Sequence, residues 1–442
     1  MNAARCFKYY FAPKKLKELC NSKIAFRATV GMDRVVPTAF EKRLDENINL
    51  ISRKVFSGNY HFTRYKEILI SKGRDKYPRV ISIPTIRDKL ALSAFHSVLQ
   101  DTYSNIVEEP LLHTIIADIT AALSSGKYNS YVKVDITRFY SSINHDILLS
   151  KLKKKIHKKE ILLFLKNAIT TATVPEGVKL PADLQNTRGV PEGLSISNIL
   201  ADIYLSELKD ILQSRYSIAY FRYVDDILIL CNASDSNHIK DELIDILQKD
   251  YDLKAHEEKT ISGKLVDGVP YLGYVFYDNR VSVRPAAIQR LESSIETLFR
   301  LRKHETISKG TFEWRLNLKI GGCIYEHKKY GWLFYYSQLN DLSALYHLDW
   351  FIDRLFVRFG FKKPTNLMRF VRVYHEITKN LNHSTYLINA DAYTLEQKKT
   401  VLNSIYGTKY DLFREEDTIN KKFRQIMFRE IQKLEHDIQN FS

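Results

Sequence analysis

The sequence predicts an α+β fold, with a small antiparallel sheet backed by helices and then a long, mainly helical C-terminal region. Three observations predict it. Segments 131–135 and 219–231 are short β-prone runs separated by helical stretches, giving the order strand–helix–strand–strand. The second run contains Tyr223-Val224-Asp225-Asp226, two adjacent acids between apolar flanks, which reads as a buried hairpin with the acids at its turn. From 285 to 442 apolar residues recur mainly at helical spacing, with loops near 321–322, 361–365 and 407–408.

Taken in order, residues 1–50 read as helical, with Phe40, Leu44 and Ile51 on one helical face. Strands follow at 62–70 and 79–84, joined by a turn at Ser71-Lys72-Gly73-Arg74-Asp75. Helix returns over 85–128, and 131–135 is a short strand ending in Asp135. The segment 143–171 is helical and carries six lysines between Lys151 and Lys159, a pattern that usually marks a solvated face. A loop rich in Pro and Gly over 173–193 precedes an apolar helix over 195–212. After the hairpin come a helix over 237–251 and strands within 260–284.

Composition narrows the function classes. At 442 residues the chain is long enough for two or three subdomains. It has no apolar run of membrane-spanning length and no continuous apolar stretch at its N-terminus, so neither a transmembrane helix nor a signal peptide is expected. Cys6, Cys20, Cys231 and Cys323 are scattered, which fits neither a zinc knuckle nor a disulfide framework, and a reducing cytoplasm is the expected compartment. The net charge of +16 points to a polyanionic partner, nucleic acid first. The 27 Tyr and 23 Phe interleaved with basic residues suit a groove that follows phosphates and stacks bases, and equally suit an ordinary aromatic core.

Burying two adjacent carboxylates is costly unless they are compensated, and a divalent cation is the simplest compensation. A solvated Asp-Asp turn also fits the tetrapeptide alone. Asp135 supplies a third acid: if its strand pairs with the hairpin, Asp135, Asp225 and Asp226 meet at one sheet edge. Three such carboxylates can hold two Mg²⁺ ions about 4 Å apart, the arrangement that serves nucleotidyl transfer.

At these residues the chain resembles a reverse transcriptase, in motif order over roughly 30–285. Tyr131-Val132-Lys133-Val134-Asp135-Ile136-Thr137-Arg138-Phe139-Tyr140 resembles motif A of that family, and Arg188-Gly189-Val190-Pro191-Glu192-Gly193-Leu194-Ser195-Ile196-Ser197-Asn198 resembles motif B. Tyr223 to Asp226 is similar to motif C, Glu258-Lys259-Thr260 to motif D, and Tyr271-Leu272-Gly273-Tyr274 to the primer grip. The resemblance implies a right-hand polymerase fold. It divides into an N-terminal helical extension (1–50), fingers (51–130), palm (131–284) and a helical thumb and C-terminal domain (285–442).

The resemblance also implies roles. Asp135, Asp225 and Asp226, with Ile136, would hold two Mg²⁺ ions, for which Mn²⁺ can substitute. Arg79, and more weakly Lys72, would contact the incoming triphosphate, and Arg79's planar fork suits phosphate. Tyr140, five residues after Asp135, would lie under the sugar and exclude a 2′-hydroxyl. Glu192 and Gly193 would face the nucleotide, and Lys259 would protonate the leaving pyrophosphate. Surface or core placement is the bland alternative for Arg79, Tyr140 and Lys259 alike. Glu192 departs from the family, which usually has Gln there; it faces template or nucleotide, or turns away to cap the next helix.

Trp314 to Cys323 and Lys328-Lys329-Tyr330-Gly331-Trp332 mix basic and aromatic residues, as a thumb along a duplex would, though helix packing is the usual fate of such rings. The sequence shows no Cys/His cluster like that of intron endonucleases and no second acid cluster like RNase H. The layout, with Gly31-Met32-Asp33, Phe40-Glu41-Lys42 and Ile51 to Tyr60, is similar to bacterial reverse transcriptases outside mobile introns: retron, abortive-infection and other defence types. The expected partners are an RNA template, a non-coding RNA above all, the DNA product and dNTPs. A second copy of the chain or a neighbouring gene's product stays open as a further partner. Untemplated or protein-primed DNA synthesis, an RNA-binding scaffold and an intron mobility enzyme stay open as alternatives.

Overall fold

A computed structural model of the chain describes residues 2–24, 29–71, 77–107, 111–178, 181, 183–277, 279–406 and 416–438. Its strands are β1 (Tyr65–Ile70), β2 (Arg79–Ile83), β3 (Ser130–Asp135), β4 (Thr173–Val174), β5 (Ala219–Tyr223), β6 (Asp226–Cys231), β7 (Ile261–Lys264), β8 (Val269–Tyr271), β9 (Tyr274–Phe276), β10 (Val281–Val283), β11 (Cys323–Tyr325) and β12 (Lys328–Tyr330). The fold class is α+β, as the sequence predicts. Two compact units divide the chain: Met1–Leu112 with Tyr128–Gly263, and His113–Lys127 with Lys264–Ser442.

The first unit is built on a four-stranded sheet of order β5-β6-β3-β7. Every residue of β6 is buried, as its unbroken apolar run Ile227–Leu230 requires of a strand covered on both faces. A second sheet, β2-β1-β4, is antiparallel between β1 and β2 and parallel between β1 and β4. The core of this unit is continuous from Phe7 and Phe11 through Phe95 and Phe164 to Ile229 and Leu243. Beneath β1, buried Asp88 accepts from the Tyr60 hydroxyl (2.8 Å) and the Thr63 amide (3.1 Å), while Thr85 caps the helix Ile86–Thr102.

Several single helices of the sequence reading are pairs. The stretch 85–128 holds Ile86–Thr102 and Leu112–Ser124, 143–171 holds His145–Lys153 and Lys159–Thr170, and 195–212 holds Ser197–Tyr204 and Leu208–Gln213. The break after Lys153 lets Ile156 drop into the core. The lysine run is not simply solvated: Lys151 and Lys154 both pair with Glu207, and Lys151 also lies 4.7 Å from the Tyr251 ring centroid.

The second unit is mainly helical, led by Pro285–Lys303, Lys309–Gly321, Ser343–Phe359 and Glu416–Ile438. It also contains the hairpin β11–β12, which the sequence reading took as helix and loop. Its turn residues Glu326 and His327 have positive φ (49° and 60°). Such a turn normally signals itself by Asn or Gly; here Asp391 stabilises it instead, accepting from both turn amides at 2.6 and 2.9 Å. Trp332 is buried and Trp314 packs against Phe423 and its neighbours, so these rings serve packing. The loop proposed near Gly407-Thr408 lies outside the described residues. Among the described residues no helix is long and apolar enough to cross a membrane.

Candidate active site

Antiparallel pairing of β3 with β6 sets Asp135 directly opposite Asp226. The strands β5 and β6 are joined by a two-residue turn, Val224-Asp225, since Tyr223 pairs with Asp226. All three acids therefore stand at one end of the sheet. Val224 has φ +57°, a left-handed conformation that a β-branched side chain strongly disfavours. The surroundings hold it: Arg222 donates to the Val224 carbonyl (3.1 Å) and pairs with Asp202 on the helix Ser197–Tyr204 (2.8 Å). On the other side, the Ile136 amide donates to the Asp225 carbonyl (3.3 Å) and the His256 amide to the Asp135 carbonyl (2.8 Å).

Two lysines neutralise this edge. Lys133 lies two residues before Asp135, hence on the same face of β3, and its Nζ is 3.4 Å from Asp226 Oδ2. Lys259 Nζ is 3.1 Å from Asp135 Oδ2. Burial pushes the Asp226 carboxyl up to about 7, against the pull of Lys133 and with added repulsion from Asp135 and Asp225. Asp225 is raised by burial and then by Asp135. Among the described residues no three His, Cys, Asp or Glu side chains form a preassembled metal cage. The donor chemistry nevertheless fits a hard dication: Asp135, Asp225 and Asp226 present only oxygen, and the edge already draws cationic charge to Asp135 and Asp226.

The structure places the other residues singled out by the sequence around this edge, with one outside its description. Tyr140 is buried, and its hydroxyl donates to Asn198 Oδ1 at 2.7 Å. Burial raises its phenol, with further contributions from Asp225 and Glu192, so the ring stands within electrostatic reach of both acids. Ile136 is buried, with a backbone bridge to Ala255. Gly193 has φ +97°, and a Cβ there would meet Ile81 Cγ2 at 2.7 Å, so only glycine lets this loop lie against β2. Glu192 does not cap the following helix; its carboxylate pairs with the Arg79 guanidinium. Lys72 lies outside the described residues. Sequence reasoning missed Lys133, which strand alternation from Asp135 could have found, and the Arg222–Asp202 brace, whose partners lie on separate elements with no local signal.

Three aspartates thus share one edge of the sheet β5-β6-β3-β7, and the loop at Gly193 lies against β2 close by. The residues 70–276 of the chain match the family model described as reverse transcriptase (RNA-dependent DNA polymerase). It carries the domain of an RNA-directed DNA polymerase. Among curated proteins it is similar to Protein YkfC of Escherichia coli, 21% identical over 56% of this chain and 75% of YkfC. It is also similar to the putative COX1/OXI3 intron 2 protein of Saccharomyces cerevisiae, 20% identical over 59% of this chain and 37% of that protein. The match to the group II intron-encoded protein LtrA of Lactococcus lactis is 25% identical over 37% of this chain and 28% of LtrA. The chain thus spans well under half the length of these two intron proteins. Solved structures similar to it include telomerase from Candida albicans in complex with a telomeric RNA fragment, with a TM-score of 0.43, 13% identity and coverage of 89% of this chain and 66% of that one.

Proposed function

We propose that this protein copies RNA into DNA, adding dNTPs by two-metal nucleotidyl transfer at Asp135, Asp225 and Asp226. The observation that carries the reading is the register of β3 with β6, which sets Asp135 opposite Asp226 beside a turn that holds Asp225. Asp135, Asp225, Asp226 and the Ile136 backbone are the groups that would hold the cations, Mg²⁺ first. Bound there, the cations supply the charge that activates a primer 3′-hydroxyl and stabilises the leaving pyrophosphate. The chain's own work is positioning and charge balance. Arg79 binds the triphosphate. Tyr140 walls the sugar site, with its ring fixed by Asn198. Lys259 gives a proton to the departing pyrophosphate, a role its contact with Asp135 at 3.1 Å supports.

The wall gives a direct prediction. Tyr140→Ala opens space for a 2′-hydroxyl, so the preference for dNTP over rNTP, measured as the ratio of kcat/KM values, falls about 10–100-fold. An unchanged ratio would remove Tyr140 from the sugar site.

The template we propose is a dedicated non-coding RNA, and the setting antiphage defence. Support comes from the resemblance of the N-terminal motifs and the overall layout to defence-type enzymes. The enzymatic reading is tested by incorporation of labelled dNTPs by purified protein with its copurified RNA, in Mg²⁺ and in chelator; incorporation that persists in chelator refutes it. The biological reading is tested by deleting the gene from its native locus, and unchanged phage sensitivity refutes that part alone.

A further inference from the structure

The Arg79–Glu192 contact joins two residues that are 113 apart in sequence and both partly exposed, the arginine on β2 and the glutamate on the loop before the helix Ser197–Tyr204. The backbone brings them together. The Ser82 amide donates to the Glu192 carbonyl at 2.7 Å, and Gly193 lies flush against Ile81 and Ser82 because it lacks a Cβ. Residue 192 is thereby held beside β2, with its carboxylate on the Arg79 guanidinium. The pair stands at the acid edge, since Arg79 and Glu192 both lie within electrostatic reach of Tyr140, and Arg79 also within reach of Asp225. A carboxylate and a phosphate oxygen compete for the same guanidinium fork.

We infer that Glu192 is an internal anion seated on the triphosphate-binding guanidinium, which an incoming nucleotide must displace. The inference rests on the reading of Arg79 as the triphosphate contact. Glu192 is then a positioning residue. It keeps Arg79 extended toward the site, excludes stray anions from it, and raises the nucleotide concentration at which the enzyme runs. A glutamine in its place keeps the shape but gives up the charge that competes with phosphate.

The test compares dNTP KM for wild type, Glu192→Gln, Arg79→Ala and the double variant on one primer–template. A partly exposed ion pair of this kind corresponds to a roughly three- to fivefold effect. Glu192→Gln lowers KM by that factor, raising kcat/KM, and lowers the inhibition constant of inorganic tripolyphosphate in parallel. Arg79→Ala raises KM about tenfold, and in that background Glu192→Gln has no further effect. If Arg79→Ala raises KM while Glu192→Gln leaves it unchanged or raises it, the displaceable anion is refuted and the Arg79 reading stands. An unchanged KM in Arg79→Ala refutes the Arg79 reading itself. An equal fall in KM from Glu192→Gln with and without Arg79 also overturns the inference, because the carboxylate then acts independently of the guanidinium. Should Glu192→Gln lose its thermal transition, Glu192→Asp is read instead, since its shorter arm loosens the contact. A KM below wild type supports the inference, and one equal or higher overturns it.

Discussion

Asp226→Asn abolishes dNTP incorporation, by about 10³-fold or more in kcat, and at the same time makes the metal-free protein more stable at pH 8. Both effects come from one geometry. Asp226 is buried opposite Asp135 and beside Asp225, so its charge is useful only when a cation shares it. In the metal-free fold its carboxyl titrates at about 7, against an ordinary value near 4 in the unfolded chain. Below both values the group is protonated in either state and no stability is lost. As pH rises from about 4 toward 7 the unfolded chain releases the proton and the folded one retains it, so stability falls across that window. The loss over the whole window is on the order of 4 kcal/mol, and the value of about 7 already includes the opposing pull of Lys133. Thermal melts in chelator at pH 5 and pH 8 measure the effect. The wild type loses stability between them, Asp226→Asn loses less, and equal losses would contradict the burial argument. A scaffold without catalysis would show the melting behaviour but have no incorporation to lose.

Lys319→Ala and Asp437→Ala each destabilise the second unit by about 3–5 kcal/mol, because each leaves its partner as an uncompensated buried charge. Lys319 Nζ contacts both Asp437 and Ser294, and both members of the ion pair are buried, at 8% and 3% exposure. The pair ties the helix Glu416–Ile438 to Lys309–Gly321, reinforced one turn away by Arg315–Glu430 at 2.8 Å. The double replacement Lys319→Met, Asp437→Leu removes both charges and keeps the volume, so it recovers most of the loss. Denaturant midpoints of the three variants check this, and a double variant no better than either single one would show that the charges do more than neutralise each other.

The meeting of the three acids at one sheet edge was legible because its signals are local. Asp135 ends a β-prone run, and Asp225 and Asp226 interrupt another, so a strand pattern and an acid doublet suffice to place them. Tyr140 and Gly193 were singled out only because the segments around them resemble motifs A and B of reverse transcriptases. Glu192 was read as a residue of interest without its partner, since nothing in a linear sequence couples position 192 to position 79. The same holds for Lys259 on Asp135 and for Arg222 on Asp202. Helix breaks at 154–158 and 205–207 were missed because apolar periodicity continues across them, and tertiary packing of Ile156 and Leu205 decides the break. The hairpin β11–β12 was missed because its turn, Glu326-His327, is stabilised by the distant Asp391 and not by its own residues.

The most direct measurement sequences the nucleic acid that copurifies with the wild type and with an Asp225→Ala, Asp226→Ala variant, after separate DNase and RNase treatment. Templated polymerisation at this sheet edge predicts a defined DNA, complementary to a bound RNA, with the wild type alone. Homopolymer or random DNA with the wild type would contradict copying of a template, and RNA alone in both samples would contradict catalysis at Asp135, Asp225 and Asp226.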